Sequence, residues 1–270
     1  MSEPTGLAAR RLAELARCAS SGGRAELGAT SLEGTRLVER ALRAGVELIA
    51  VVCGERYADS GDPRVRALLA ALEGVERHVV ADAALARLTG GRSYGDVLAL
   101  VRLPTEVPLA ERLASPRDGF RPTLLVAVDV DDPGNVGALV RTALASGCLA
   151  FVAAGLTDPW HPKAVRTSMG SLFRLPLLRR DSAAALFEEL RAEGVRTAGA
   201  VARGGARLDE WPPNSAPVAL LVGGEAHGLD GDVQAQLDHA VTIPMPDGVD
   251  SLSVNAAAAV ALYELGVRRP

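Results

Sequence analysis

Aromatic residues make up only 3% of this 270-residue chain, which argues against a surface that binds by stacking successive nucleobases. Lysine is scarcer still. Lys163 is the only one, so nearly all positive charge is arginine; codon bias produces such a composition, and so does a preference for bidentate phosphate contacts. The three cysteines, Cys18, Cys53 and Cys148, are odd in number, far apart and without CxxC spacing. They suit neither a zinc site nor a disulfide framework, so no metal is expected and the thiols read as those of a reduced, cytoplasmic protein. No apolar signal core opens the chain, and no run approaches the roughly 20 apolar residues of a membrane span. G-x-G-x-x-G and G-K-[ST] are both missing, which leaves a dinucleotide or ATP site without support.

What is present is enough apolar material for a sizeable core: 48% hydrophobic against 23% charged residues, compatible with two medium domains. The net charge of −4 speaks against a general nucleic-acid binder. Its distribution is uneven, however: residues 161–180 hold Lys163, Arg166, Arg174, Arg179 and Arg180 and no acid. A local basic face is compatible with an acidic whole.

Leucines at helical spacing mark residues 1–22, a Gly22-Gly23 pair interrupts them, and 31–45 resumes the pattern. Strands are expected at 46–53, 75–80 and 97–101, and helices at 63–72 and at 82–88, the latter capped by Asp82. The 90–95 segment, GGRSYG, reads as a turn. Pro104, Pro108, Pro116 and Pro122 punctuate the next stretch, giving a first domain over 1–103, a linker over 104–121 and a second domain over 122–270. The second half alternates strands (124–130, 149–153, 197–201, 219–222, 240–243) with helices (138–147, 164–170, 183–193, 231–237). That is a parallel α/β domain, whose ligands should bind at the carboxyl ends of strands.

Three loops there carry polar chemistry. Residues 129–137, DVDDPGNVG, place Asn135 ahead of a helix expected to have Arg141 in its first turn. Residues 223–229, GGEAHGL, set Glu225 and His227 between glycines. Residues 243–265, IPMPDGVDSLSVNAAAAVALYEL, run from a strand end through a Gly248/Asp250 turn into an alanine-rich helix starting near Ser253, with Ser251 where an N-cap would sit.

In order and spacing, DVDDPGNVGALVRTALASG, LLVGGEAHGLD and IPMPDGVDSLSVNAAAAVALYE closely resemble the three motifs of the SpoU (TrmH-like) branch of SPOUT RNA methyltransferases, and HPKAVRTSMGSLFRLPL resembles that family's inter-motif segment. Residues 25–103 resemble, more weakly, the L30e-type substrate-binding domain. The resemblance implies a deep trefoil knot, a working homodimer, S-adenosylmethionine as methyl donor, and a ribose 2′-hydroxyl of RNA as acceptor, ribosomal RNA ahead of tRNA. It implies that Val222, Gly223, Ile243, Met245 and Leu252 hold the cofactor, that Arg141, Asn135, Glu225, Ser251 and Asn255 form the catalytic group, and that Arg166, Ser168 and Arg174 meet RNA. One departure stands out. The family's third motif reads S-L-N, whereas here Ser251-Leu252-Ser253 is followed by Asn255, so serine and asparagine look exchanged. A catalytically silent SAM- or RNA-binding protein of the same fold is the alternative.

Overall fold

The computed structural model describes residues 6–92, 95–115, 121–208 and 216–267. Two compact units emerge: Met1–Thr105 together with Trp160–Phe173, and Glu106–Pro159 together with Arg174–Pro270. The basic segment read from sequence as part of the second half is grouped with the first unit.

The first unit is built on a mixed sheet of β1 (Ala29–Glu33), β2 (Leu48–Gly54), β3 (Arg77–Val80) and β4 (Val97–Arg102), ordered β1-β4-β2-β3. Only β2 and β3 run parallel. The last three residues of β1, from Ser31 to Glu33, fall in a stretch expected to be helical. Gly28 in the left-handed conformation ends helix Ser21–Leu27, and Gly34, at φ 95°, separates β1 from helix Thr35–Arg43. Gly34 thus cuts one leucine pattern into strand and helix, while Gly28 closes the preceding helix. Gly22 and Gly23 do not break a helix either; they sit inside Ser21–Leu27, where the Ser20 hydroxyl accepts from Gly23 N–H. Nor is Asp82 a cap. It is the first residue of helix Asp82–Thr89, and its carboxylate accepts from Arg56 Nε at 2.7 Å.

Segment Trp160–Phe173 is fastened to this unit by side chains and backbone. Thr30 Oγ1 donates to the Trp160 carbonyl at 3.0 Å, Arg40 donates to the Met169 carbonyl, and Arg166 pairs with Glu33 at 3.1 Å. Ala164, Val165 and Leu172 are buried.

The second unit carries a seven-stranded sheet whose pairings are all parallel: β5 (Thr123–Val128), β6 (Ala150–Ala154), β7 (Leu177–Arg180), β8 (Arg196–Ala200), β9 (Ala206–Arg207), β10 (Val218–Gly223) and β11 (His239–Thr242), ordered β7-β6-β5-β10-β8-β11-β9. β5, β6 and β10 are buried along their whole length, matching their near-continuous apolar sequences. β7 and β9 have no counterpart in the sequence reading. Helix Leu109–Leu113 lies within the expected linker, and Leu109 is buried in this unit's core, so the chain after Glu106 already belongs to the second unit. Of the expected linker, residues 116–120 lie outside the described ones. Between β5 and β10 the sheet's order reverses, which is where ligands of open α/β sheets bind.

Candidate active site

A cavity of about 530 Å³ opens in the second unit beside the ends of β10 and β11. Its walls are the end of β10, the turn that follows it, the segment after β11, and residues leading into helix Val254–Val267. Val222, Gly223, Ile243, Met245 and Leu252 all line it, as do Glu225, His227 and Ser251.

Backbone crowding explains the glycines of the second loop. Gly224 and Gly228 form an isolated antiparallel bridge, with Gly228 N–H donating to the Gly224 carbonyl at 2.8 Å. A Cβ on Gly223 would collide with the backbone of Gly228, and one on Gly224 would stand 2.8 Å from the Asp129 carbonyl. Asp129 itself sits at φ 51°, uncommon for a non-glycine residue. Its carboxylate accepts from Leu156 N–H at 2.9 Å, and the buried Thr157 hydroxyl accepts from Val130 N–H at 3.0 Å. The first and second loops therefore approach each other through backbone, held from below by β6's outgoing turn.

The first loop is more helical than its glycines suggested. Helix Pro133–Ala145 begins inside it, because Asp132 caps the helix, its carboxylate accepting from Asn135 N–H at 2.9 Å, and Pro133 fits the first position. Asn135 lies in the helix's first turn, and Arg141 is exposed further along instead of in that turn. In the third loop, the cap is Ser253 and not Ser251: Ser253 Oγ accepts from Ala256 N–H at 3.3 Å, and its carbonyl accepts from Ala257 N–H at 2.9 Å. Ser251 is left exposed on the cavity wall. Asn255, in the first turn of Val254–Val267, donates through Nδ2 to Asn135 Oδ1 at 3.1 Å. From the same helix Val254, Ala257 and Ala261 face the cavity.

Of the catalytic group expected from sequence, Glu225 and Ser251 line the cavity, Asn135 and Asn255 touch each other on adjoining helices, and Arg141 shares a helix with Asn135. The residues expected to meet RNA are divided between the units, Arg166 and Ser168 in the first and Arg174 in the second. Ser168 is fully buried, its hydroxyl donating to the Val165 carbonyl at 2.7 Å and accepting from Gly170 N–H at 3.2 Å, so it offers nothing to a ligand. Arg166 is paired with Glu33, and Arg174 is exposed. Sequence reasoning missed Arg203, which lines the cavity and donates to the Val249 carbonyl at 3.1 Å. Its position just past β8, at a strand's carboxyl end, was the available signal.

The donor set suits an amphipathic, charged cofactor. An apolar wall of Val222, Ile243, Met245 and Leu252 faces polar groups from Arg203, Glu225 and Ser251, the combination that small-molecule sites use for a flat ring and a polar tail.

Residues 122–263 match the SpoU rRNA Methylase family model. Over 235 residues, 87% of each chain, the protein is 31% identical to the 23S rRNA (guanosine(2553)-2′-O)-methyltransferase RlmP of Bacillus subtilis. The SpoU methyltransferase AviRb of Streptomyces viridochromogenes, solved with AdoMet, superposes with TM-score 0.82 at 27% identity, covering 94% of this chain and 96% of that one. An AdoMet-bound rRNA methyltransferase of Sinorhizobium meliloti gives TM-score 0.80 at 26% identity, covering 98% and 97%.

Proposed function

The chain belongs to the SpoU rRNA methylase family and is an S-adenosylmethionine-dependent RNA ribose 2′-O-methyltransferase; on that premise we propose that its substrate is ribosomal RNA of the large-subunit type and that Arg141, Asn135, Asn255, Glu225 and Ser251 act on it. The observation that carries this reading is the cavity beside β10 and β11, whose walls come from the second and third loops while the Asn135–Asn255 bond draws in the first.

S-adenosylmethionine supplies an electrophilic methyl on a positively charged sulfur. Val222, Ile243, Met245 and Leu252 suit its adenine, the backbone around Gly223 suits its ring edge, and Arg203 suits the carboxylate of its amino-acid end. A ribose 2′-hydroxyl is a poor nucleophile, so the chain's task is to align its oxygen with that methyl and to stabilise the negative charge that grows there. With S-adenosylmethionine bound, its methyl would pass to the ribose oxygen and S-adenosylhomocysteine would leave, the hydroxyl proton going to solvent or a phosphate. Arg141 keeps its own protons, since a guanidinium is not readily deprotonated, and stabilises the oxyanion instead. Asn135 and Asn255 position the ribose.

The same reading extends to assembly and place. The exposed Val260 and Tyr263 on helix Val254–Val267 offer apolar area to a second copy, in keeping with a homodimer, and the family's knotted threading is extended to this chain. No described helix is long and apolar enough to cross a membrane, and a cytoplasmic location suits the substrate. The first unit, with its L30e-like sequence, is read as substrate-binding.

Transfer of labelled methyl from S-adenosylmethionine to purified 23S rRNA and, separately, to bulk tRNA tests the reading. Label in a 2′-O-methyl nucleoside from rRNA alone is the expected result. Cofactor binding with no label in either pool would favour the silent binder and overturn it.

A further inference from the structure

Charge divides between the two units. The first holds sixteen Lys and Arg against thirteen Asp and Glu, the second thirteen against twenty. The acidic balance of the whole thus conceals a basic first unit. Four of those sixteen, Arg87, Arg92, Lys163 and Arg166, line one cleft of about 370 Å³ together with His161, and Glu33 is the one carboxylate on its described wall. These side chains come from three separate places. Arg87 belongs to helix Asp82–Thr89, Arg92 to the turn after it, and Lys163 and Arg166 to helix Pro162–Thr167, the part of the basic segment that packs with the first unit.

Glu33 gives the cleft its form. Its carboxylate accepts from Arg92 Nε and Nη2, both at 3.0 Å, and from Arg166 Nη1 at 3.1 Å. Its side chain is only 11% exposed, against 41% for Arg92 and 30% for Arg166. A nearly buried carboxylate thus orients two half-exposed guanidiniums before any ligand arrives, which lowers the ordering cost of binding. The lining's formal charge remains positive. Its described walls contain no Phe, Tyr or Trp, so the cleft suits a phosphate chain better than a stack of bases.

Taking RNA as the substrate, as above, we propose that this cleft binds the RNA sugar–phosphate backbone and is the main electrostatic docking site of the enzyme, with Arg87, Arg92 and Lys163 contacting phosphates and Glu33 orienting Arg92 and Arg166. It replaces the expected trio of Arg166, Ser168 and Arg174, of which Ser168 is buried. Phosphate contacts position without reading sequence, so this cleft supplies affinity and leaves base selection elsewhere.

The test uses the full chain and purified 23S rRNA in filter binding from about 0.05 to 0.3 M KCl, the range in which counterion release is legible. Arg87→Ala and Lys163→Ala should each weaken binding about fivefold near 0.15 M salt and lower the slope of log K against log salt by about 0.9, with the double variant losing both. Arg102→Ala, whose partner is Glu47 outside the cleft, should stay within about twofold of wild type, as surface charges far from a contact do. Cofactor affinity and melting temperature should hold in every variant. Unchanged RNA affinity in the double variant, with wild type binding normally, would overturn the proposal alone; so would an equal loss in Arg102→Ala, because the effect would then be general charge. A wild-type protein that binds S-adenosylmethionine but no RNA would overturn the RNA reading and this proposal with it.

Discussion

Asn255 Nδ2 donates to Asn135 Oδ1 at 3.1 Å, a single amide–amide bond that ties helix Val254–Val267 to helix Pro133–Ala145 and so the third loop to the first. The other end of the Asn255 amide, Oδ1, is buried without a partner among the described residues. An unsatisfied buried acceptor costs about 1–3 kcal/mol. Under the role proposed for Asn255, a ribose hydroxyl of the substrate would supply the missing donor. Asn255→Ala is therefore expected to lower kcat by about tenfold or more, the scale of one lost positioning contact, while leaving S-adenosylmethionine affinity close to wild type. In a double-mutant cycle with Asn135→Ala, the two losses should fall well short of adding, because both variants break the same bond. Additive losses would show that the amides act separately.

The exchange of serine and asparagine in the third motif has a structural division of labour behind it. Ser253 caps the helix, and Asn255, two residues on, reaches the first loop. Ser253→Ala should destabilise the fold by about 1 kcal/mol, the usual cost of a lost N-cap, read from urea or thermal unfolding. Ser251→Ala, which removes an exposed cavity-wall hydroxyl, should leave stability within about 0.5 kcal/mol. The reverse order of the two effects would return the cap to Ser251.

Arg141 is exposed on the helix that carries Asn135 and is not part of the cavity wall. Arg141→Ala should accordingly abolish measurable turnover and leave cofactor affinity nearly intact by calorimetry, and Arg141→Lys should recover little, since a compact ammonium does not reproduce the guanidinium's planar fork. Wild-type rates in either variant would remove Arg141 from the mechanism.

Gly223 stands at the opposite extreme, because the collision its Cβ would make is with backbone in the next turn of the chain, which has no flexible end to give way. Gly223→Ala should weaken S-adenosylmethionine by more than tenfold, since even a methyl must move the Gly224–Gly228 bridge that forms the cavity wall. Unchanged affinity would place the cofactor elsewhere.

Much of this was legible in the sequence because the second unit's strands are unbroken apolar runs. The sequence 124–128 is LLVAV and 218–222 is VALLV, and each yields a buried parallel strand within a residue or two. Loop residues that line the cavity were legible only through the resemblance of their motifs to the SpoU family. What could not be read was local competition. The helix expected to start at 138 starts at Pro133 and takes in Gly134 and Gly137, because the Asp132 cap and the fixed φ of Pro133 together outweigh about 1 kcal/mol per helical glycine. β1 was hidden because Ala-Thr-Ser-Leu-Glu is too short for a period to show, and only the flanking glycines separate it from helices. The packing of residues 160–173 with the first unit depends on Thr30, Glu33 and Arg40, more than one hundred positions away, and no local pattern encodes such a pairing.

The first unit also carries a pH dependence that one side chain should dominate. Arg11 donates to both carboxylate oxygens of Glu76 at 2.7 Å, and His78 Nε2 lies 2.7 Å from the same group. These bonds, Arg11's first and His78's second, hold the Glu76 carboxyl at about 2, well below its ordinary 4.5. A carboxyl depressed in the folded state stabilises the fold above its unfolded pKa, and that contribution disappears as pH falls from about 4.5 towards 2. Glu76→Gln cannot titrate, so its unfolding free energy should lie below wild type at neutral pH and converge with it across that window. Other carboxyls, Glu14, Glu39 and Asp238, are lowered as well and give both proteins a common acid slope, which the difference between the two cancels. Urea unfolding at intervals from pH 7 to about 2.5 measures that difference directly. A gap that stays constant with pH would mean that Arg11 holds Glu76 by geometry alone, without favouring its charged form.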